Sequence, residues 1–205
     1  PYTTLFRSTD ITEKDVSEVV DMIRGSGKEK VVLTVHRQNV ENAMEVTVEI
    51  TDVELPSVFS EMLENQTGYI RISQFTDVTP DQYEKAFSDL KDQGMEQLVV
   101  DLRGNPGGLL TSVCAILNSI LPEGLIVYTE DKYGNRSEER SEGKTPLDMP
   151  FAVLVNENSA SASEIFAGAV QDYGIGTIVG TVTYGKGVVQ ELRPLSDGSA
   201  VKLTV

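Results

Sequence analysis

At 205 residues and 40% hydrophobic content, the chain can bury one sizeable core, or one core plus part of another. A formal net charge of −15 opposes nucleic acid and anionic membrane surfaces as partners. A single cysteine, Cys114, excludes an internal disulfide and a multi-cysteine metal site, and no apolar run approaches the roughly 18 residues of a membrane span.

The opening "PYTTLFRS" has no hydrophobic period, so residues 1–8 are expected to be a non-native or unstructured leader. Thr12 then opens a helix in capping-box style, with Asp15 three residues on. Val16, Val19, Val20 and Ile23 fall at helical spacing, and Gly25 stops the run. "VVLTV" and "MEVTVEI" follow as strands, the second lining one face with Met44, Val46, Val48 and Ile50.

From about residue 68, strands and helices alternate. "GYIRISQF" is a strand, and Thr79-Pro80 starts a helix as cap and N1 proline, burying Tyr83, Ala86, Phe87 and Leu90 before Gly94. "QLVVDL" is a short apolar strand, followed by a glycine-rich turn and a helix over 109–120 that holds Cys114 in its core. "LIVYT" and "FAVLVN" are further strands around a polar stretch that forms an exposed hairpin or loop. A helix over 160–173 faces inward with Ala162, Ile165, Phe166, Ala169, Val170 and Tyr173, and strands near 177–182, 187–192 and 199–205 complete the chain. Buried apolar strands alternating with helices give an α/β layer architecture.

Two strand-to-helix turns can carry chemistry. In "DLRGNPGG" (101–108) the glycines free backbone N–H groups at a helix N-terminus, where a phosphate or a developing oxyanion can sit. It is not G-x-G-x-x-G, and a plain tight turn explains it as well. "VNENSASASEIF" (155–166) brings Ser159, Ser161 and Ser163 to the first turn of the next helix, where serine is also a common cap.

A serine nucleophile needs a base, and the only histidine, His36, lies in the early strand region. What remains is a lysine held neutral by burial, and Lys186, with Val188 and Val189 after it, is the candidate. "GTVTYGKG" mimics a phosphate-binding loop, but Gly187 stands where that motif needs Ser or Thr, and a strand follows where it needs a helix.

These residues resemble the C-terminal processing peptidases, also called tail-specific proteases. The resemblance covers residues 9–205 and rests on "GYIRISQF", "DLRGNPGG", "VLVNENSASASEIFAGAVQDYG" and "VGTVTYGKGVVQ" in that order. It implies a crotonase-like spiral β-α core over 52–205 and the C-terminal half of a PDZ domain over 9–51. It further implies Ser161 as nucleophile, Lys186 as base, and the backbone N–H groups of Gly107 and Ala162 as oxyanion hole. Gln190 matches a glutamine that orients the lysine in some members, although four residues of straight strand span about 13 Å, so a bend is required. Asp172 and Glu164 match positions the family favours; a carboxylate on the helix surface is the simpler account of each.

The function implied is a serine endopeptidase acting on proteins or peptides with an accessible C-terminus, through an acyl-enzyme. No metal or cofactor and no nucleic acid is implied, a homo-oligomer is compatible, and the compartment implied is extracytoplasmic, periplasmic or membrane-anchored. Two other classes remain open: an inactive truncated fragment or peptide-binding module, and a crotonase-like acyl-CoA enzyme.

Overall fold

A computed structural model describes residues 2–6, 9–27, 29–37, 40–51 and 55–205. The chain divides into two compact units, Pro1–Glu54 and Leu55–Val205.

In the first unit, β1 (Tyr2–Phe6), β2 (Thr9–Asp10), β3 (Lys30–His36) and β4 (Met44–Glu49) form one antiparallel sheet in the order β2-β1-β3-β4, with one helix, α1 (Val16–Arg24). Of the expectation of a non-native or unstructured leader, the unstructured half is corrected. Tyr2–Phe6 pairs with β3, from Tyr2 opposite His36 to Phe6 opposite Leu33; residues 1, 7 and 8 lie outside the described residues. A strand is held by backbone N–H and C=O groups, which every such residue carries, so a segment without alternation can still join a ladder. The cap of α1 also differs. Asp15, not Thr12, is the N-cap, accepting the Ser17 N–H at 3.1 Å while Glu18 accepts the Asp15 N–H at 3.2 Å. Thr12 is diverted locally, donating its N–H and its hydroxyl to Asp10 Oδ1 at 2.9 and 2.7 Å. Val19, Met22 and Ile23 pack against buried Ile11 and Val31, whereas Val16 is 77% exposed.

The second unit is built on a five-stranded sheet in the order β11-β10-β7-β6-β5. Its strands are β5 (Val58–Leu63), β6 (Thr67–Ile72), β7 (Gln97–Asp101), β10 (Phe151–Val155) and β11 (Thr177–Gly180). All neighbours are parallel except β5, which joins β6 antiparallel through a tight turn at Glu64–Gln66. The crossovers are α2 (Thr79–Asp92), α3 (Leu110–Asn118) and α4 (Ala162–Tyr173). The chain steps from β6 to β7 to β10 to β11 always in the same direction. Right-handed crossovers therefore place all three helices on one face of the sheet. Burial agrees: Ile70, Ile72, Leu98, Val100, Val153 and Phe166 share one core with the helices, while Tyr69, Val99, Ala152 and Leu154 on the other face are only half-buried.

Two hairpins complete the unit: β8 (Gly124–Glu130) with β9 (Arg136–Ser141), and β12 (Gln190–Pro194) with β13 (Ala200–Thr204). The α2 start differs in detail from the expectation, because Val78 is the N-cap and Thr79 turns back, accepting the Thr76 N–H and donating to the Gln74 carbonyl. The strand expected over 187–192 begins only at Gln190, and residues 181–189 belong to no strand or helix.

Candidate active site

Because β7 and β10 are adjacent and parallel, the turns leaving their C-terminal ends lie side by side. Hydrogen bonds stitch them together. The Ala160 N–H donates to the Asn105 carbonyl at 3.0 Å, and the Gly104 N–H to Asn156 Oδ1 at 2.9 Å. The Ser159 hydroxyl donates to the Leu102 carbonyl at 2.8 Å, and the Ser163 hydroxyl to the Asn105 carbonyl at 3.0 Å. Both of these serines are fully buried, so their hydroxyls are structural fasteners.

Ser161 is different. It is half-buried, immediately precedes α4, and has φ 56° and ψ −114°. A non-glycine residue at positive φ is strained by roughly 1–3 kcal/mol, and such a turn from strand to helix thrusts the side chain outward. The next amide, of buried Ala162, has no hydrogen-bond partner among the described residues and stands at the helix N-terminus, where it favours negative charge.

Gly107 lies directly against this turn. A Cβ there would meet the Ala160 oxygen at 2.7 Å, Ser161 Cβ at 2.8 Å and the Ala162 nitrogen at 2.9 Å. Its φ of 99° also favours glycine. The Gly107 N–H, expected to be free for an oxyanion, already donates to Asn105 Oδ1 at 2.8 Å. Asn105, fully buried, is fixed in turn by its Nδ2 donating to the Ile72 carbonyl at 2.9 Å. Among the described residues, the amide in this turn without a partner is that of Gly108.

Lys186 and Gln190 line, with Gly104, Pro106, Asn158, Ala160 and Tyr184, an open groove of about 680 Å³. Lys186 Nζ donates to Gln190 Oε1 at 2.9 Å, and no hydrogen bond joins it to Ser161 Oγ. The bend that Gln190 requires is present, since the chain is irregular up to the start of β12. The burial expected of Lys186 is corrected: it is only half-buried, and Val188 and Val189 are 49% and 38% exposed, because their segment joins no strand.

Glu164 is not a plain surface carboxylate. It accepts the backbone N–H groups of Ser161, Gly185 and Lys186 and the Thr183 hydroxyl, at 2.7–2.8 Å. Burial works to raise its pKa, but the N–H groups of Lys186, Gly185 and Ser161 and the Thr183 hydroxyl outweigh it and hold the carboxyl below its ordinary value. The sequence marked Glu164 through the resemblance, and its place three residues after Ser161 is a capping-box spacing, but a helix-surface carboxylate was the simpler expectation and is corrected here. Asp172, by contrast, is exposed on α4.

One group did escape the sequence reading. Asp101, 2% exposed at the end of β7, accepts the Tyr69 hydroxyl at 2.6 Å and the Arg103 guanidinium at 2.7 Å. Desolvation opposes ionisation there, yet Arg103 and Tyr69 hold the Asp101 carboxyl below its ordinary range. Cys114 is buried on α3 as expected, and burial pushes its thiol up to about 11. His36 ends β3 in the first unit. Among the described residues, no group of three or more His, Cys, Asp or Glu could hold a metal.

Comparison with known proteins gives a consistent picture. The profile of Peptidase family S41 matches residues 66–205. A carboxyl-terminal-processing protease of Synechocystis sp. is 37% identical over 200 residues, covering 96% of this chain and 47% of that protein. Carboxy-terminal processing protease CtpA of Bacillus subtilis is 35% identical over 192 residues, covering 93% of this chain and 41% of that protein. The solved structure of a photosystem II D1 C-terminal processing protease superposes with a TM-score of 0.65 at 28% identity, over 99% of this chain and 56% of that one. The chain thus spans about half the length of the relatives it matches. With its α/β core and the serine-bearing turn at the end of β10, the chain belongs to peptidase family S41.

Proposed function

We propose that this chain carries the catalytic centre of a serine endopeptidase of Ser–Lys type, acting on proteins with an accessible C-terminus. The observation that carries this reading is Ser161. It sits strained and half-exposed at a helix start, beside Gly107 and the unpartnered Ala162 amide, whereas the flanking serines are locked to backbone carbonyls.

In this mechanism Lys186 Nζ turns from Gln190 to Ser161 and takes the Oγ proton as Oγ bonds to the scissile carbonyl carbon. The carbonyl oxygen, now negative, is met by the Ala162 N–H and by an amide of the Gly107-Gly108 turn. The C–N bond breaks, Lys186 returns its proton to the leaving amine, and an ester to Ser161 remains. Water then adds to the ester carbon, giving a proton to Lys186. The C–O bond breaks and that proton returns to Ser161 Oγ. Gln190 holds the amine between these transfers. No metal or cofactor takes part.

The remaining features follow the family resemblance. The core over 52–205 is read as crotonase-like, and residues 9–51 as half of a PDZ domain, a module that adds a substrate tail as a strand. The compartment is read as extracytoplasmic, and self-association is compatible with it.

Labelling with a serine-reactive phosphonate, followed by peptide mapping, tests the reading. Adduct on Ser161 alone, lost in Ser161→Ala, is expected. Adduct that survives Ser161→Ala overturns the assignment, and labelling of no serine favours an inactive fragment or peptide-binding module instead.

A further inference from the structure

We propose that Glu164 is a positioning residue for the dyad, a single carboxylate that sets Ser161 and Lys186 in register; the proposal rests on the Ser–Lys reading above. Its oxygens divide the work. Oε2 accepts the Ser161 N–H at 2.8 Å and the Lys186 N–H at 2.8 Å, so one atom bridges the backbones of nucleophile and base. Oε1 accepts the Gly185 N–H at 2.7 Å and the Thr183 hydroxyl at 2.8 Å.

Three of these donors are backbone amides and the fourth a hydroxyl, and no salt bridge to Glu164 exists among the described residues. Glu164 therefore does not act as a charge partner. An ionised carboxylate is acceptor-only, with about four lone-pair sites, and this one meets four donors. Donors at such a carboxylate are drawn in more strongly than at a neutral oxygen.

The need for such a tie follows from the fold. Residues 181–189 belong to no strand or helix, so no ladder of hydrogen bonds fixes the backbone of Lys186. The other backbone ties of this segment are the Tyr184 N–H on the Ser159 carbonyl at 3.0 Å, the Thr181 N–H on the Val155 carbonyl at 3.4 Å and the Val205 N–H on the Val189 carbonyl at 3.1 Å, none of them on Lys186 itself. Ser161 meanwhile sits at positive φ, a conformation that persists only when its surroundings hold it. Glu164 lies in the first turn of α4, where the helix end favours its negative charge. A capping-box glutamate normally serves one helix; this one also fastens a second segment, the one that bears the base.

The test uses the full protein with Glu164→Gln, Glu164→Ala and Thr183→Val, and takes kcat per serine titrated by phosphonate labelling carried to completion. Gln is isosteric but must turn an NH₂ group toward at least one of the donors now met by oxygen. We expect kcat per titrated serine to fall at least tenfold in Glu164→Gln and further in Glu164→Ala, with KM within threefold. Thr183→Val removes one donor and should lose less than Glu164→Gln. A merely structural role would lower the fraction of serines titrated and leave the rate per serine unchanged. A rate per serine within twofold of the parent in Glu164→Gln, with Ser161→Ala and Lys186→Ala inactive, overturns the proposal and leaves the dyad standing. If Lys186→Ala keeps activity, the Ser–Lys reading fails first and the proposal with it.

Discussion

Three serines share the stretch SASAS, and what their hydroxyls touch separates them. Those of Ser159 and Ser163 are buried on the carbonyls of Leu102 and Asn105. Ser159→Ala and Ser163→Ala should each remove one buried hydrogen bond from a carbonyl that keeps a second, backbone donor, lowering stability by about 0.5–1.5 kcal/mol in urea denaturation. Both should still be labelled at Ser161, and loss of labelling in a folded variant would contradict this division. Gly107→Ala is expected to be worse for function. Its Cβ would press on Ser161 Cβ and the Ala162 nitrogen, so phosphonate labelling should slow by on the order of a hundredfold, the scale of losing one oxyanion donor. Ser161, Lys186, Gln190 and Glu164 could be singled out because the motifs carry them at fixed spacing. What Glu164 holds could not, because a sequence shows on which helix a carboxylate lies but not which distant segment folds back over it. The free amide of Gly108 was hidden for a similar reason: only the geometry shows that Asn105 Oδ1 occupies the amide of Gly107.

Among the elements, β7 carries the turn that faces Ser161, and Asp101 fastens its end to Tyr69 on β6 and to Arg103. Its folded-state pKa is depressed, so the stability it supplies is fully present above the ordinary aspartate value of about 3.9 and is lost as pH falls through the lower folded value. Asp101→Asn should therefore cost about 1–3 kcal/mol at pH 7, discounted because the Arg103 side chain is 53% exposed. The gap between parent and variant in chemical denaturation should narrow toward pH 3; a gap that widens on acidification would contradict the sign. The strong periods of α2, α3, α4, β6, β7 and β10 made these elements readable, give or take a turn at their ends. By contrast β5 went unread. As an edge strand with Phe59 57% exposed and Ser60 and Glu61 within it, it presents no apolar run. Strand β1 was missed because its pairing is a matter of backbone.

For the molecule as a whole, the alternation of strand and helix predicts an α/β layer, and the sheet order then fixes where the chemistry lies: at the C-terminal ends of neighbouring β7 and β10. The order itself, and the antiparallel β5 at one edge, were not legible, since no local pattern records which strands meet. The net charge of −15 acts at this scale too. It should draw cationic peptides and repel anionic ones, so raising ionic strength should lower kcat/KM for the former and raise it for the latter. Equal salt responses for both would show that the field does not reach the groove. The central claim, that Lys186 is a base and not a fixed charge, is tested most directly by turnover of Lys186→Arg beside Lys186→Ala. Guanidinium keeps the charge but cannot give up its proton. Both variants should lose activity by on the order of a thousandfold or more with the fold retained by circular dichroism. An arginine variant that keeps a tenth or more of the parent activity would contradict the Ser–Lys mechanism.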